Sequence, residues 1–165
     1  MSTLSVDTIQ GKTTAGTVAM PSGSIIQVIN AENDTGSSTT STSFTSTSVA
    51  ATITPKFAAS KILVICQCQL KQTTGSATGS HIEAKIHRGS TAIGKALDHG
   101  TRELAGTGNT DNVASGTILK VLDSPNTTSA TTYTVYIRSR NSNCTASINN
   151  DDAGSSITLM EIDGS

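Results

Sequence analysis

The residues that most resemble a chemical motif are Gly11, Lys12, Thr13 and Thr14, which match the end of a phosphate-binding loop. That loop has the form G-x-x-x-x-G-K-[ST], in which glycines let backbone N–H groups wrap the phosphates and a helix follows. Val6 stands where the first glycine is needed, and the residues after Thr14 have no helix pattern. We therefore interpret this stretch as an extended polar segment and not as a nucleotide site.

Two other groups of residues could bind a metal ion. His81 and Glu83 are two residues apart, so on a strand they would share a face and could meet one ion. His87 lies about 20 Å from His81 along an extended strand, too far for one ion to bind both. Residues 149–154 (NNDDAG) contain oxygen ligands and a glycine, but not the order of a calcium loop. A solvated strand face and a turn are the simpler predictions, and both metal alternatives stay open.

Catalytic residues are not indicated elsewhere. Asp98 and His99 are adjacent, but no nucleophile accompanies them, and there is no G-x-S-x-G elbow. Three cysteines with a C-x-C spacing, Cys66, Cys68 and Cys144, do not form a disulfide framework. We expect them to be small buried apolar residues of a protein made in a reducing cytoplasm. We predict no enzyme activity, no catalytic residue and no cofactor.

The composition of the 165-residue chain is typical of a single all-β domain. Serine and threonine together make up nearly a third of it, whereas hydrophobic residues account for 35% and charged residues for 14%. A net charge of −1 and four aromatic residues argue against nucleic acid as a partner. No apolar run approaches the ~20 residues of a membrane span, and the N-terminus does not resemble a signal peptide.

The hydrophobic pattern predicts nine short strands separated by polar turns. Lys61 to Leu70 is the strongest, with its even positions apolar and its odd positions changing from Leu63 and Ile65 to Gln67 and Gln69. The predicted strands cover residues 24–29, 48–54, 61–70, 80–88, 91–97, 112–122, 132–140, 144–149 and 155–162. The one stretch with a helical pattern, 91–105, is interrupted by glycines. Such spacing predicts a single β-sandwich, jelly-roll-like in type.

Two parts of the chain differ in character. Residues 24–165 form the predicted β-sandwich domain, while residues 1–23 contain few large apolar residues and end in the turn Pro21-Ser22-Gly23. The segment 1–23 cannot build a core alone, so we expect it to run extended and to dock on another protein. The candidate docking residues are Val6, Ile9, Val18 and Met20.

Several strings resemble marine bacteriophage virion proteins of the cyanophage or pelagiphage type, identified as tail fibres or structural proteins. The start "MSTLSVDTIQGKTTAGTVAMPSGSIIQV" is similar to their N-terminal or linker segment. "STSFTSTSVAATITPKFAASKILV", "IHRGSTAIG", "LDSPNTTSATTYTVYIRS" and "SSITLMEI" resemble their strand and turn segments. The likeness covers nearly the whole chain, and its strings are structural and not active-site motifs.

The resemblance implies a non-enzymatic virion protein, made in the host cytoplasm and commonly a homotrimer. Residues 1–23 would anchor it to another virion protein, and the sandwich would face a host surface glycan or protein. The candidate contact loops are 30–43, 72–80 and 98–112. A capsid decoration protein is one alternative, since the domain stands almost alone here. A carbohydrate-binding module or a small glycan-degrading enzyme is the alternative of another class.

Overall fold

The structure is a computed structural model, which describes residues 21–74, 81–99, 111–140, 144–149 and 154–164. Within these ranges the chain forms ten β-strands and no helix, so none of the described residues lies in a helix long and apolar enough to cross a membrane. The strands are β1 (Ile25–Asn33), β2 (Ser37–Thr39), β3 (Thr45–Ile53), β4 (Lys61–Thr74), β5 (Ile82–Arg88), β6 (Thr91–His99), β7 (Asp111–Asp123), β8 (Thr131–Ser139), β9 (Cys144–Ile148) and β10 (Ser155–Ile162).

Alternating apolar side chains favour these strands, and most of the strands were predicted from the sequence. The bounds of β10 are those predicted, and β8 alternates buried with partly exposed residues along its length. The prediction of an unbroken loop at 30–43 was wrong, because β1 continues to Asn33 and β2 (Ser37–Thr39) pairs with β9. The predicted loops 72–80 and 98–112 were also too long, since β4 extends into the first, and β6 and β7 extend into the second.

Eight of the strands pair in the nested order of a jelly roll. With the short β2 and β9 set aside, the first strand pairs with the last (β1–β10), the second with the seventh (β3–β8), the third with the sixth (β4–β7) and the fourth with the fifth (β5–β6). A long antiparallel ribbon folded over on itself gives this order. The pairings β10–β4 and β8–β5 then join its arms into two sheets. The predicted β-sandwich of jelly-roll type is confirmed.

The large sheet is organised around β4. One side of β4 pairs with β7 along its whole length, whereas the other side pairs first with β10 and then with β9. β1 extends the sheet beyond β10, and β2 extends it beyond β9. The small sheet has the order β3-β8-β5-β6. Within the described residues β6 and β7 are therefore the outermost strands on one side of the sandwich.

The core lies between the inner faces of the two sheets. The predicted inward face of β4 is confirmed, since all five of its apolar residues at even positions from 62 to 70 are at most 1% exposed. From the small sheet, β8 contributes Tyr133, Val135 and Ile137, which were also predicted to face inward and are likewise buried. Interdigitation of these two inner faces provides the hydrophobic stabilisation of the fold.

Buried polar groups close one end of this core. Asp123, the last residue of β7, accepts a hydrogen bond from the Tyr133 hydroxyl at 2.8 Å and an ion-paired hydrogen bond from Arg88 at 2.9 Å. Burial, followed by the hydrogen bond to Asp123, raises the pKa of the Tyr133 phenol. The contact therefore holds a protonated tyrosine against a carboxylate and connects β5, β7 and β8. It also explains the D-S-P and T-T-Y strings, which carry Asp123 and Tyr133.

A second carboxylate, that of Glu161, is fully buried in β10 at the same end. Its Oε1 accepts the backbone N–H groups of Lys56 at 2.7 Å and Phe57 at 3.3 Å, and its Oε2 accepts the Gln27 amide at 2.6 Å. A buried charge is tolerated only when such donors replace water. Glu161 thereby ties β1 and the turn after β3 to the large sheet.

We expect Tyr133→Phe to lower the free energy of unfolding by about 1–2 kcal/mol, because the Asp123 carboxylate loses a buried donor. The matched control is Tyr136→Phe, which removes a hydroxyl from a partly exposed tyrosine on the same strand and is expected to cost less than about 0.5 kcal/mol. Denaturant unfolding of both variants measures the difference. Equal losses would contradict the structural role given to the Tyr133–Asp123 contact.

Candidate interaction surfaces

The predicted docking residues Val6, Ile9, Val18 and Met20 lie outside the described residues. The structure does show where that segment joins the sandwich. The Gly23 N–H donates to the Asp163 carbonyl at 3.0 Å, and the Asp163 N–H donates to the Ser24 carbonyl at 2.9 Å. These two bonds fix the root of the segment at the β1–β10 side of the large sheet.

The outer face of the large sheet carries a band of exposed apolar side chains. Val28, Met160, Leu63 and Leu122 are direct neighbours across β1, β10, β4 and β7. We call these four residues the apolar row. Val28 is 52% exposed and Leu122 is 54% exposed, while Leu63 and Met160 are half-buried. Three inter-strand spacings make the row about 15 Å long.

Further apolar residues continue the surface on both sides of the apolar row. Ile25 and Ile162 pair with each other toward the Pro21 end, and Ile25 is 56% exposed. Ile65 follows Leu63 on β4, and Ile118 of β7 is 61% exposed. Soluble monomers seldom expose a contiguous apolar surface of this kind, and such surfaces mark interaction sites.

Sequence reasoning found only part of this surface. The change from Leu63 and Ile65 to glutamines along β4 predicted that its second face would pass from covered to wet. The structure leaves Gln67 exposed, in agreement, but Leu63 and Ile65 are half-buried with no described element lying over them. Val28, Met160 and Leu122 could not be assigned to the surface, because their alignment depends on pairings between distant parts of the chain.

The outer face of the small sheet is different, and here a prediction was wrong. His81, Glu83, Lys85 and His87 were predicted to form a solvated face, but Glu83 is 8% and His87 is 7% exposed. Side chains of neighbouring elements cover them, because the sheet brings β8 and the start of β3 alongside β5. Alternation of polar residues in the sequence indicates which side chains share a face of the strand. It does not indicate whether other side chains cover that face.

Stacking and ion pairing hold this cluster together. The His87 ring lies parallel to that of Tyr136, with ring centres 3.8 Å apart, and Arg138 lies 4.7 Å over the centre of the Phe44 ring. Arg138 also pairs with Glu83 at 2.6 Å. Together these contacts connect β5, β8 and the residue before β3. The Glu83 carboxylate is thus already neutralised by an arginine side chain of the same chain.

Burial lowers the pKa of His87, and the nearby positive charge of Lys85 lowers it further. A hydrogen-bond contact between Nδ1 and the Ser90 carbonyl, at 3.3 Å, acts in the opposite direction but does not outweigh burial. The Nε2 atom is buried with no hydrogen-bond partner. A neutral imidazole fits this environment better than a charged one.

The described residues around His81 and Glu83 form no metal centre, while residues 150–153 of the second candidate position lie outside the described residues. Glu83 pairs with Arg138 and Arg140, which compete with a cation for its carboxylate. Among the described residues there is no group of three or more histidine, cysteine, aspartate or glutamate side chains that could hold an ion.

Asn149, which is described together with Gly154 of the 149–154 stretch, has a structural role. Its amide nitrogen donates to the Asn33 carbonyl at 2.9 Å, and its side-chain oxygen accepts from the Ser155 hydroxyl. Its φ of 56° is a left-handed conformation that asparagine tolerates. The turn residue thus closes the second end of the core by joining β1 and β10.

Two cavities among the described residues differ in the polarity of the side chains that line them. An open polar cavity of about 400 Å³ has these lining residues in the described part of the chain: Glu32, Asn33, Asp34, Gln67, Gly154, Ser155 and Ser156. An apolar cavity of about 250 Å³ lies between the outermost strands β6 and β7. Of the predicted contact loops, only residues 30–43 reach the polar cavity among the described residues.

The cysteine prediction is confirmed with respect to burial. Cys66, Cys68 and Cys144 form no disulfide and are at most 1% exposed. A hydrogen bond with Cys68, and burial, raise the pKa of the Cys66 thiol. Neither residue of the C-x-C pair is therefore presented as a nucleophile.

No model of a known protein family matches the chain, and no curated protein is significantly similar to it. Its structure is similar to that of T=1 particles derived from infectious bursal virus, at 10% identity and a TM-score of 0.32, over 99% of this chain and 41% of that one. It is also similar to the VP2 subviral particle of infectious bursal disease virus, at 12% identity and a TM-score of 0.28, over 84% and 38%. The chain spans about two fifths of the solved chains it matches. Likeness at this level carries no inference about function.

We expect the free energy of unfolding to fall as the pH is lowered from 7.5 to 5.5, in part because of His87. Below about pH 6.5 the unfolded chain takes up a proton that the folded His87 resists, so the folded state loses stability. Thermal melts should show a smaller fall for His87→Gln than for the unsubstituted chain. Lys85→Gln, which removes one cause of the lowered pKa, should reduce the fall partially. The same pH dependence in His87→Gln as in the original chain would contradict this account.

Proposed function

We propose that this chain is a non-enzymatic structural protein of a bacteriophage virion, a small homotrimeric appendage of the tail-fibre or spike type. In this proposal residues 1–23 anchor it to another virion protein, and the sandwich faces outward, toward a host surface. The resemblance of the sequence to marine phage virion proteins supports the virion role. The single observation that carries the assembly role is the apolar row on the outer face of the large sheet.

The apolar row is suited to contact with further copies of the same chain. Lys61 and Lys120 are the charged residues that flank it on β4 and β7. The apolar row itself contains no charge, so it lacks the electrostatic pattern by which unlike partners select one another. Around a threefold axis it can pack against the corresponding surfaces of two further copies. A small sandwich with a thin core also gains stability from such burial.

The second sheet supports an outward-facing role for the rest of the domain. On its outer face the arginines that pair with the buried Glu83 reach toward the surface, and the Arg140 side chain is 51% exposed, so this face presents charge to water. The two sheets thus differ in the partners that they suit, with the large sheet inward in the assembly and the small sheet outward. A capsid decoration protein would use the same two faces, but its anchor would contact the shell.

The polar cavity favours one alternative from another class, a carbohydrate-binding module. Carboxylates of Glu32 and Asp34 and the amides of Asn33 and Gln67 line it, and such groups hydrogen-bond to sugar hydroxyls. A glycan array would detect binding, and Asp34→Ala should abolish any binding that uses this cavity. Turnover of a host polysaccharide by the purified chain would contradict the structural proposal.

We predict that Leu122→Lys converts the oligomer to a monomer or weakens its association by at least about tenfold. A charge placed in the apolar row must be desolvated at the interface, which costs several kcal/mol unless it is paired. Size-exclusion chromatography with light scattering measures the molar mass. Ser46→Lys, which places the same lysine at an exposed position of the small sheet, serves as the control and should leave the mass unchanged. A folded Leu122→Lys variant with the mass of the original chain would contradict this interface.

The position of the protein on intact particles tests the virion role itself. We expect a labelled antibody against the sandwich to bind phage particles at the tail. Label confined to the head would favour the decoration alternative, and particles without any label would contradict the virion role. Removal of residues 1–20 should abolish incorporation into particles, and normal incorporation of the truncated chain would contradict the anchor.

A further inference from the structure

The side of the sandwich formed by β6 and β7 carries an apolar groove. Within the described ranges β6 pairs only with β5, and β7 only with β4, so both sheets end here. The cavity between these two strands measures about 250 Å³, and Ile93, Leu97 and Val121 form its walls. We call this space the edge groove. It exceeds the ~150 Å³ of an apolar cavity that holds a benzene ring.

The edge groove reaches down to the core. Ile86 and Leu119 also line it, and they are only 3% and 4% exposed. The other side of the sandwich is closed by contrast, because Gln27 of β1 donates to the Thr54 carbonyl at 2.8 Å and thereby joins the two sheets. A strand edge next to an open apolar groove is a site at which an extended peptide can add as a further strand.

The rim of the edge groove indicates the charge of its occupant. Lys95 of β6 and Lys120 of β7 both line the opening, and both are exposed. The occupant should therefore be extended, with apolar side chains on one side and a negative charge on the other. Residues 4–9 read Leu-Ser-Val-Asp-Thr-Ile, and they contain the one acidic residue of the segment 1–23. The strand period of two places Leu4 and Val6 on one side and Asp7 on the other.

We propose that residues 4–9 of a neighbouring copy add as a strand at the edge groove, with Leu4 and Val6 filling it and Asp7 facing Lys95 and Lys120. This inference rests on the proposed function, because it adds to the apolar row a second contact that would join the copies, and it leaves the rest of the segment 1–23 for the anchor to another virion protein. The segment supplies backbone hydrogen bonds to an open sheet edge and apolar side chains to an open core. It would also cover Ile86 and Leu119.

The root of the donor segment and the acceptor groove lie on different sides of the sandwich, so a contact between copies would join unlike sides. The segment joins the sandwich at the β1–β10 side, where Gly23 is bound to Asp163. The edge groove lies at the opposite side of the large sheet, beside β7. A contact between opposite sides of identical subunits is head-to-tail, and such contacts form closed rings when the rotation between subunits closes. A ring of three is the homotrimer of the proposed function.

Cross-linking between two differently labelled full-length chains tests this directly. One chain carries Ser5→Cys, and the other carries Ala96→Cys, an exposed position that lines the edge groove. After mixing and reassembly, a short bifunctional maleimide should join the two chains, and mass spectrometry should locate the link at positions 5 and 96. The buried native cysteines are protected from the reagent. Ser46→Cys on the opposite edge of the small sheet is the control acceptor and should not react with position 5.

Charge reversal separates a specific contact from chance proximity. Asp7→Lys should lower the yield of the cross-link by about two- to fivefold, and combination with Lys95→Asp and Lys120→Asp should restore it. An oligomer that gives no link between positions 5 and 96 overturns this proposal alone, because some other segment, such as residues 100–110, then occupies the edge groove. In a variant that carries both Ser5→Cys and Ala96→Cys, a link that forms only within single chains overturns it as well. A full-length chain that is monomeric by light scattering instead contradicts the proposed function.

Discussion

The central position of β4 is the constraint on which the rest of the structure depends. Its inner face is apolar from Ile62 to Leu70, and its antiparallel pairing with β7 on one side and β10 on the other fixes the register of the large sheet. That register places Ile62 beside Asp123 and Glu161, so both buried carboxylates lie at the same end of the core. It also places Leu63 between Leu122 and Met160, so the apolar row is a consequence of the same pairing. A slip of one residue would turn the core face outward.

The buried carboxylates show how a small core with few large side chains is held in one arrangement. Asp123 accepts from Tyr133 of the opposite sheet, whereas Glu161 accepts from the turn after β3 and from Gln27 of the neighbouring strand β1. Loss of a donor leaves a buried charge unsatisfied, which costs more than loss of an equivalent apolar contact. The two sheets are therefore locked together by polar contacts at their ends and by apolar contacts between them. The outer faces are left available for other contacts.

The fold was predictable from the sequence because its signal is local, whereas the surfaces were not. Alternation along β8 and β10 identifies strands and their inward residues within single segments. The apolar row requires residues from four strands, and the cover over His87 comes from Tyr136, which lies on a different strand and far along the chain. The composition of the chain does not determine how distant strands pair, so these contacts could not be predicted from it. The phosphate-loop-like stretch at Lys12 lies outside the described residues, so its predicted docking role stays a prediction.

The molar mass of the full-length chain in solution is the most direct test of the claim that the outer face of the large sheet is an interface between copies. Light scattering at micromolar concentration and neutral pH measures it without any substitution. The account predicts a homotrimer, with a molar mass three times that of the 16.8 kDa chain. A mass of one chain across the concentration range would show that the apolar row stays in contact with water, and it would contradict the account.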